Sequence, residues 1–214
     1  MPNIKTAKGR PASSTRWLAR QIKDPYVRQA RQQGWRSRAA FKLIEVDDKH
    51  RFLKPGAKVV DLGCAPGGWT QVAAARTKTK VLGLDLLPVA PISGAQILQM
   101  DFTSSDAPAR LKQLLGGKAN VVLSDLAPNT TGDQTTDHLR LMGVLNLALD
   151  FALETLDNGG VFLCKIFAGR EEAAFFARLR RHFTTVKRIK PPASRKESVE
   201  YYILATGYRL DKAD

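Results

Sequence analysis

The sequence predicts an α/β fold in which a doubly wound, mostly parallel, seven-stranded sheet ends in an antiparallel hairpin. Apolar strand-like segments alternate with helical patterns through most of the chain, which is typical of a parallel sheet covered by helices on both faces. The last two strand-like segments have no helix between them, so they are expected to be antiparallel. The 214 residues, 43% of them apolar, suffice for one domain with its own core.

The elements follow one another in a regular order. The predicted strands are 58–63, 80–86, 95–102, 120–126, 160–167, 184–190 and 200–209. The predicted helices are 37–51, 69–76, 107–115, 138–156 and 171–182. In the first helix, Ala40, Leu43 and Ile44 fall on one face, and Ser37 is the expected N-cap.

Charge is distributed unevenly along the chain. The 34 Lys and Arg residues exceed the 20 Asp and Glu residues, which gives a net charge of +14. Residues 1–42 carry eleven of the cations against one acid, and 176–196 carry eight with no acid. Two basic poles beside a neutral body indicate a polyanionic partner, although a basic surface kept for solubility remains an alternative. We expect a basic N-terminal arm at 1–36 and a single catalytic domain at 37–214.

Other features exclude several classes of protein. No apolar run is long enough to span a membrane, and the N-terminus lacks the apolar region of a signal peptide. Its basic, acid-free composition is compatible with a transit peptide, which we consider the less favoured reading. Cys64 and Cys164 lie in apolar strand-like segments and are expected to be reduced core residues of a cytoplasmic protein. The histidines His50, His138 and His182 lack the spacing of metal ligands, so no metal site is predicted.

A glycine-rich turn follows the first strand, over residues 61–69. It resembles a dinucleotide fingerprint, in which the second glycine lets the backbone approach a pyrophosphate. Here that position is Ala65, followed by Pro66, while Gly63, Gly67 and Gly68 still allow the chain to bend. This substitution and the terminal hairpin disfavour a dinucleotide oxidoreductase. The turn instead favours a nucleoside ligand without phosphates.

Acidic residues end the next two predicted strands. Asp85 lies 18 residues after Gly67, where a carboxylate can accept hydrogen bonds from both ribose hydroxyls. Asp101 could accept a hydrogen bond from an adenine amino group. Together with the turn, these acids describe an S-adenosylmethionine site. The alternative is that the glycines only form a tight turn and that the two acids are helix caps.

Seven segments, in order, are similar to one known family. They are SRAAFKL, VVDLGCAPGGWTQ, DLLP, MDF, SDLAPNTTG, CKIF and KPPASRKESVEYYILATG. These segments resemble the RrmJ/FtsJ-type RNA ribose 2′-O-methyltransferases over about residues 13–208. The resemblance implies the Rossmann-like class I S-adenosylmethionine methyltransferase fold.

The likeness is greatest to the bacterial enzymes that methylate a uridine in 23S-type large-subunit ribosomal RNA. It therefore implies ribosomal RNA or the ribosomal subunit as the partner, with the particle favoured as substrate. A transfer RNA or another RNA as substrate, and a non-catalytic RNA-binding protein on the same scaffold, remain open alternatives.

The resemblance implies four catalytic residues, Lys42, Asp125, Lys165 and Glu200. Strand topology supports the last three independently. Asp125 and Lys165 end the fourth and fifth predicted strands, and ligands of open α/β sheets bind at that edge. Glu200 opens the last strand, and an antiparallel neighbour of the fifth strand would begin at the same edge, about 4.8 Å away. The alternative for Lys165 is a buried ion pair that serves only structure.

Methyl transfer to a ribose hydroxyl requires an oriented nucleophile and removal of its proton. We expect Lys165 to act as the general base in its neutral form, which requires its pKa to fall from ~10.4 towards ~7–8. A charged Lys165 that only steers the hydroxyl is the alternative. Asp125 is expected to touch the cofactor and hold Lys165, while Glu200 positions Lys165 or Lys42. Glu197 is a rival to Glu200, but the family pattern Ser-x-Glu-x-Tyr favours Glu200.

Further expectations concern the cofactor and the RNA. The predicted cofactor-binding residues are Asp61, Gly63, Gly67, Trp69, Asp85, Asp101 and Asp125. For Trp69 the alternative is that it packs the first helix after the turn onto the sheet. Aromatic residues between the cations of the arm could stack on bases or pack on the domain. Arg195 and Lys196 precede Glu200 and are expected near the reaction edge. A monomer is favoured.

Overall fold

The computed structural model describes residues 22, 24–127, 131–169 and 171–210, with the side chain of residue 134 left out. Most of the predicted arm at 1–36 lies outside the described residues, and the division into arm and catalytic domain stays a prediction. Within the described ranges, no helix combines the length and the apolar character needed to cross a membrane.

The helices of the described residues are α1 (Pro25–Gln32), α2 (Ala40–His50), α3 (Gly68–Thr77), α4 (Ala107–Leu115), α5 (Gln134–Thr155) and α6 (Glu172–His182). The strands are β1 (Val59–Leu62), β2 (Val81–Asp85), β3 (Ala95–Gln99), β4 (Ala119–Ser124), β5 (Leu156–Phe167), β6 (Phe183–Ile189) and β7 (Glu200–Tyr208). The seven predicted strands are confirmed, although β5 begins four residues before the predicted position.

The strands form one sheet in the order β3-β2-β1-β4-β5-β7-β6. The strands β1 to β5 are parallel, whereas β7 runs antiparallel to both of its neighbours, β5 and β6. The predicted mixed sheet with a terminal hairpin is therefore confirmed. The chain order reverses between β1 and β4, and the crevice beyond the carboxyl ends of such strands is where open α/β sheets bind ligands.

The two faces of the sheet bury two separate apolar clusters. One is covered by α4, α5 and α6 and includes Tyr201 and Ile203 of β7. The other is covered by α2 and α3 and includes Tyr202 and Leu204. Because successive strand residues point to opposite faces, this alternation assigns Lys165, between Cys164 and Ile166 of the first cluster, to the α2–α3 face.

The start of α2 differs from the prediction. The N-cap is Ala39, which makes no side-chain capping hydrogen bond, so the assignment of Ser37 as the cap is wrong. The Ala40 N–H donates instead to the Ser37 carbonyl at 3.2 Å. The Ser37 hydroxyl lies against Gly68 at the start of α3, where a Cβ would come within 2.5 Å of it. The residues before α2 therefore form a turn that packs on α3.

The two cysteines agree with the sequence analysis. Cys64 and Cys164 are both free and buried. Burial raises the pKa of the Cys64 thiol to about 12, so it stays protonated at neutral pH. Both residues serve as core side chains.

Candidate active site

The glycine turn lies at the point where the strand order reverses. Gly63 and Gly67 have φ angles of 72° and 110°, in the left-handed region that favours glycine. A Cβ on Gly63 would collide with the side chain of Leu126 after β4, and one on Gly67 would collide with Ile92. Both glycines are therefore required by close approach as well as by backbone conformation, in agreement with the expectation that they allow the chain to bend.

Asp85 fixes this turn from the end of β2. Its Oδ2 accepts a hydrogen bond from the Ala65 N–H at 2.8 Å, and its Oδ1 accepts one from the Leu87 N–H at 2.8 Å. Each carboxylate oxygen retains capacity for another donor. Asp85 can thus hold the turn and still accept hydrogen bonds from ribose hydroxyls.

Asp61 lies in β1 beneath the turn and is completely buried. Its Oδ2 accepts a hydrogen bond of 2.6 Å from Thr70 Oγ1, while its Oδ1 is buried without a hydrogen-bond partner among the described residues. Burial, and then the nearby carboxylates of Asp125 and Asp85, raise the pKa of Asp61 to about 7. A buried acceptor without a partner beside the glycine turn is the kind of group to which a bound polar ligand can donate a hydrogen bond.

Two further predicted cofactor residues have partners within the protein. Asp101 lies two residues beyond β3, and its Oδ1 accepts hydrogen bonds from the Thr103 N–H and Oγ1 at 2.9 and 2.7 Å. The Trp69 ring is buried, donates from Nε1 to the Ala39 carbonyl at 2.8 Å and lies 5.5 Å from the Tyr202 ring. These contacts agree with the packing alternative for Trp69, and the cofactor contacts of both residues stay predictions.

The four predicted catalytic side chains form two ion pairs on one side of the sheet. Lys42 Nζ lies 2.6 Å from Glu200 Oε1. Lys165 Nζ lies 3.1 Å from Asp125 Oδ1 and donates to the Asp125 carbonyl at 2.7 Å. Both lysines are only 7% exposed, and a buried ammonium of this kind needs an acidic partner.

Tyr202 links the two ion pairs and was missed in the sequence analysis. Its hydroxyl donates to Asp125 Oδ1 at 2.9 Å, and its ring centroid lies 5.6 Å from Lys42 Nζ. It is opposite Lys165 in the β5–β7 register. Burial, and then Asp125 and Glu200, raise the pKa of Tyr202, so the phenol remains a donor. The period-2 alternation from Glu200 along β7 was the available signal.

The choice between the two candidate acids is supported by the geometry. Glu197 is exposed, whereas Glu200 is half-buried and paired with Lys42. Of the two lysines that Glu200 was expected to position, the ion pair is with Lys42, and Asp125 holds Lys165.

Arg36 is a second residue whose place the sequence did not reveal. Its guanidinium donates to the carbonyls of Pro66 at 3.3 Å, Ala90 at 2.7 Å and Pro91 at 2.5 Å. Its backbone N–H donates to Gln71 Oε1 at 2.8 Å. Arg36 therefore connects the glycine turn to the loop after β2, the two segments that border the predicted cofactor site.

Two other arginines from the basic parts of the chain are engaged within the protein. Arg38 Nε and Arg195 Nη2 lie 2.9 and 3.1 Å from Asp24 Oδ2. Tyr26 of α1 donates to Glu45 Oε1 at 2.9 Å, and its ring lies 5.4 Å from that of Phe41. At Tyr26, therefore, the packing alternative for the aromatic residues is the one that the contacts support.

The sequence matches a known family along most of its length. Residues 35–208 match the sequence profile of the family described as FtsJ-like methyltransferase. The chain is 54% identical over 210 residues to the ribosomal RNA large subunit methyltransferase E of Gluconobacter oxydans, covering 98% of this chain and 78% of that protein. It is 53% identical to the protein of the same name from Caulobacter sp., covering 96% of this chain and 91% of that one.

A solved structure shows the same fold. A crystal structure of a ribosomal RNA methyltransferase from Plasmodium falciparum superimposes with a TM-score of 0.73 at 31% sequence identity, covering 81% of this chain and 98% of that one. The profile match, the identity to curated relatives and the shared fold agree with one another, and this chain belongs to the FtsJ-like methyltransferase family.

Proposed function

We propose that this methyltransferase transfers the methyl group of S-adenosylmethionine to the 2′-hydroxyl of a uridine in 23S-type large-subunit ribosomal RNA, with the ribosomal particle as its substrate. The observation that carries the proposal is the convergence of two lysine–carboxylate pairs around Tyr202, at the carboxyl end of the parallel strands. The names of the curated relatives support ribosomal RNA as the substrate.

The residues around the glycine turn fit S-adenosylmethionine. Asp85 and Asp101 offer carboxylate oxygens to the ribose and the adenine, and the unsatisfied Oδ1 of Asp61 can accept a hydrogen bond from a cationic tail. Gly63 and Gly67 supply the left-handed backbone angles that the turn after β1 requires. When bound, the cofactor supplies an activated methyl group on a sulfonium, which has a good leaving group. The protein therefore has to assist the nucleophile rather than the methyl donor.

The nucleophile is a ribose hydroxyl, which must be oriented and must lose its proton. Lys165 is the group proposed to act on this hydroxyl, because its ammonium is buried at the strand end and fixed from one side by Asp125. As a general base, Lys165 is neutral before the reaction, and its Nζ accepts the proton of the ribose hydroxyl. As an orienting cation, Lys165 keeps its own proton and polarises the hydroxyl, whose proton then passes to solvent. Lys42 and Glu200 form the second ion pair of the proposed site.

One experiment tests the activity and its product. Large ribosomal subunits and naked 23S RNA from cells lacking this enzyme are incubated with the protein and S-adenosylmethionine carrying a tritiated methyl group. We expect label at a ribose, in a linkage that resists alkali, and more of it in the subunit. In a parallel reaction with transfer RNA we expect no label; label in transfer RNA alone, or none in any of the three RNA substrates, would overturn the proposed substrate.

Lysine variants then separate the roles of Lys165. Lys165→Ala is expected to lower the single-turnover rate by at least about 100-fold, in the range of general acid–base catalysis. Lys165→Arg keeps the cation but cannot give up its proton. Partial activity in the Arg variant supports the orienting role, and loss equal to that of the Ala variant supports the base. Lys54→Ala, at an exposed lysine before β1, is the control.

The non-catalytic alternative makes a different prediction for the cofactor. A protein that only binds RNA has no need of S-adenosylmethionine, so isothermal titration would show no binding. We expect one site per chain. No binding of S-adenosylmethionine, together with no methyl transfer in the previous experiments, would favour the alternative.

A further inference from the structure

Glu200 accepts a second hydrogen bond at the oxygen that contacts Lys42. The Ser194 hydroxyl donates to Glu200 Oε1 at 3.0 Å, and Lys42 Nζ lies 2.6 Å from the same atom. Ser194 is only 4% exposed, and it lies in the loop between β6 and β7. This hydroxyl therefore fixes the Glu200 carboxylate from the loop that precedes β7.

The residue before Ser194 is anchored to α2 and to the segment preceding it. The Ala193 N–H donates to Glu45 Oε2 at 2.7 Å, and the Ala193 carbonyl accepts a hydrogen bond of 2.6 Å from Arg38 Nη2. Ala193 is completely buried. Both polar backbone groups next to Ser194 are thus held by residues more than a hundred positions earlier in the chain.

The residue after Ser194 is anchored by Asp24. Arg195 Nη2 donates to Asp24 Oδ2 at 3.1 Å, and Arg38 Nε lies 2.9 Å from the same oxygen. The other oxygen of Asp24 accepts the Tyr26 N–H at 3.0 Å and so caps α1. Asp24 is 9% exposed, and a buried carboxylate with two guanidinium partners orders both of them.

We infer that Ser194 is a positioning residue for the Lys42–Glu200 pair, and that Asp24 holds it in place through Arg195 and Arg38. The inference rests on the proposed function, because it gives a role to residues around the same site. A carboxylate on the first residue of a strand has several rotamers, and a second donor at Oε1 selects one of them. The segment before α2 thereby helps to build the reaction site, in addition to any contact with RNA.

The test compares Ser194→Ala with the wild-type protein in single-turnover methyl transfer to large ribosomal subunits, at saturating cofactor and RNA. We expect the rate to fall by about tenfold, the usual consequence of losing a hydrogen bond to a charged group. The dissociation constants for S-adenosylmethionine and for RNA are expected to stay within about twofold, since Ser194 reaches the site only through Glu200. Thr184→Ala is the control, because this exposed threonine donates to the Gly207 carbonyl at 3.1 Å at the far end of the β6–β7 pair from Glu200.

A double-mutant cycle with Glu200→Gln distinguishes positioning from general destabilisation. If Ser194 acts through Glu200, then Ser194→Ala lowers the rate of the Glu200→Gln enzyme little or not at all. Asp24→Asn is expected to lower the wild-type rate in the same way and to be non-additive with Ser194→Ala. Should the Ser194 variant fail to fold, as judged by its melting temperature, the cycle of Asp24→Asn with Glu200→Gln decides the question.

The outcomes separate the two proposals. A wild-type protein that transfers no methyl group contradicts the proposed function. An active wild type with a Ser194→Ala variant of equal rate overturns the inference alone. Additive losses in the cycle also overturn it, since they show that Ser194 and Glu200 act independently.

Discussion

The Tyr202 hydroxyl and Asp125 form a hydrogen bond of 2.9 Å, and the oxygen that accepts it is also the one that lies 3.1 Å from Lys165 Nζ. Asp125 Oδ1 is thus oriented by a neutral donor on β7 and a cation on β5. Because Tyr202 and Lys165 are opposite each other in the antiparallel register, the sheet itself fixes this arrangement.

Removing only the phenol oxygen tests this relationship. Tyr202→Phe keeps the ring that packs on Trp69 and beneath Lys42, but leaves Asp125 less constrained. We expect the single-turnover rate to fall by about three- to tenfold, since one hydrogen bond to a charged group is lost. Tyr208→Phe is the matched control, because its hydroxyl donates to the Leu153 carbonyl at 2.6 Å, between β7 and α5. Equal rates in the two variants would contradict the role given to Tyr202.

Arg36 is expected to affect cofactor binding. Arg36→Ala removes the donors that join the carbonyl of Pro66 to those of Ala90 and Pro91. The glycine turn and the loop after β2 should therefore be less ordered in the absence of the cofactor. Isothermal titration should show an S-adenosylmethionine dissociation constant about tenfold higher, because binding must then order these loops. Arg28→Ala, on the exposed side of α1, serves as the control. Weaker RNA binding with unchanged cofactor affinity would instead place Arg36 at the RNA interface.

Asp61 predicts a pH dependence of stability. Its pKa is about 7 in the folded protein against an ordinary value of 3.8, so between these values the folded state keeps a proton that the unfolded state has lost. Stability therefore falls as pH rises through this window and levels off above it, with a limiting slope of about 1.4 kcal/mol per pH unit. Melting temperatures without cofactor, between about pH 5 and about pH 8, are the measurement.

The variant Asp61→Asn cannot ionise, so its melting temperature should change less over the same range than that of the wild type. Asp106→Asn, at an exposed carboxylate beside α4, should retain the wild-type dependence. If Asp61→Asn and the wild type showed the same slope, the carboxyl of Asp61 would not be protonated in the folded state.

Lys196 is predicted to contact a phosphate, because it is exposed in the loop that carries Ser194 and leads to Glu200. Lys196→Ala should weaken RNA binding and lower the salt slope of the binding constant by about 0.9 for a duplex contact. Lys54→Ala removes the same charge from the opposite edge of the sheet, before β1, and should leave the slope unchanged. Equal slopes in both variants would place the RNA elsewhere on the surface.

Local patterns in the sequence were sufficient to predict the sheet and to assign Asp125, Lys165 and Glu200 to one edge of it. Alternation of apolar strands and helices gave the parallel core, and the missing helix before residue 200 gave the hairpin. The glycines of the turn were recognisable because only glycine tolerates its backbone angles and close contacts. Lys165 was recognisable because a lysine within an apolar strand requires a partner.

The partners of these groups depended on the tertiary structure. The packing of β5, β7 and α2 decides whether Glu200 pairs with Lys42 or with Lys165. A period-2 pattern predicts the face on which a side chain lies, but it does not predict the neighbour of that side chain across the sheet. A sequence does not distinguish a cation on the surface from one with a partner inside the protein. Only long-range packing showed that Arg36 contacts backbone carbonyls and that Arg195 contacts Asp24. The sequence by itself therefore determined that this protein is basic. Only the tertiary structure decided which of its charged side chains pair with one another around the candidate site.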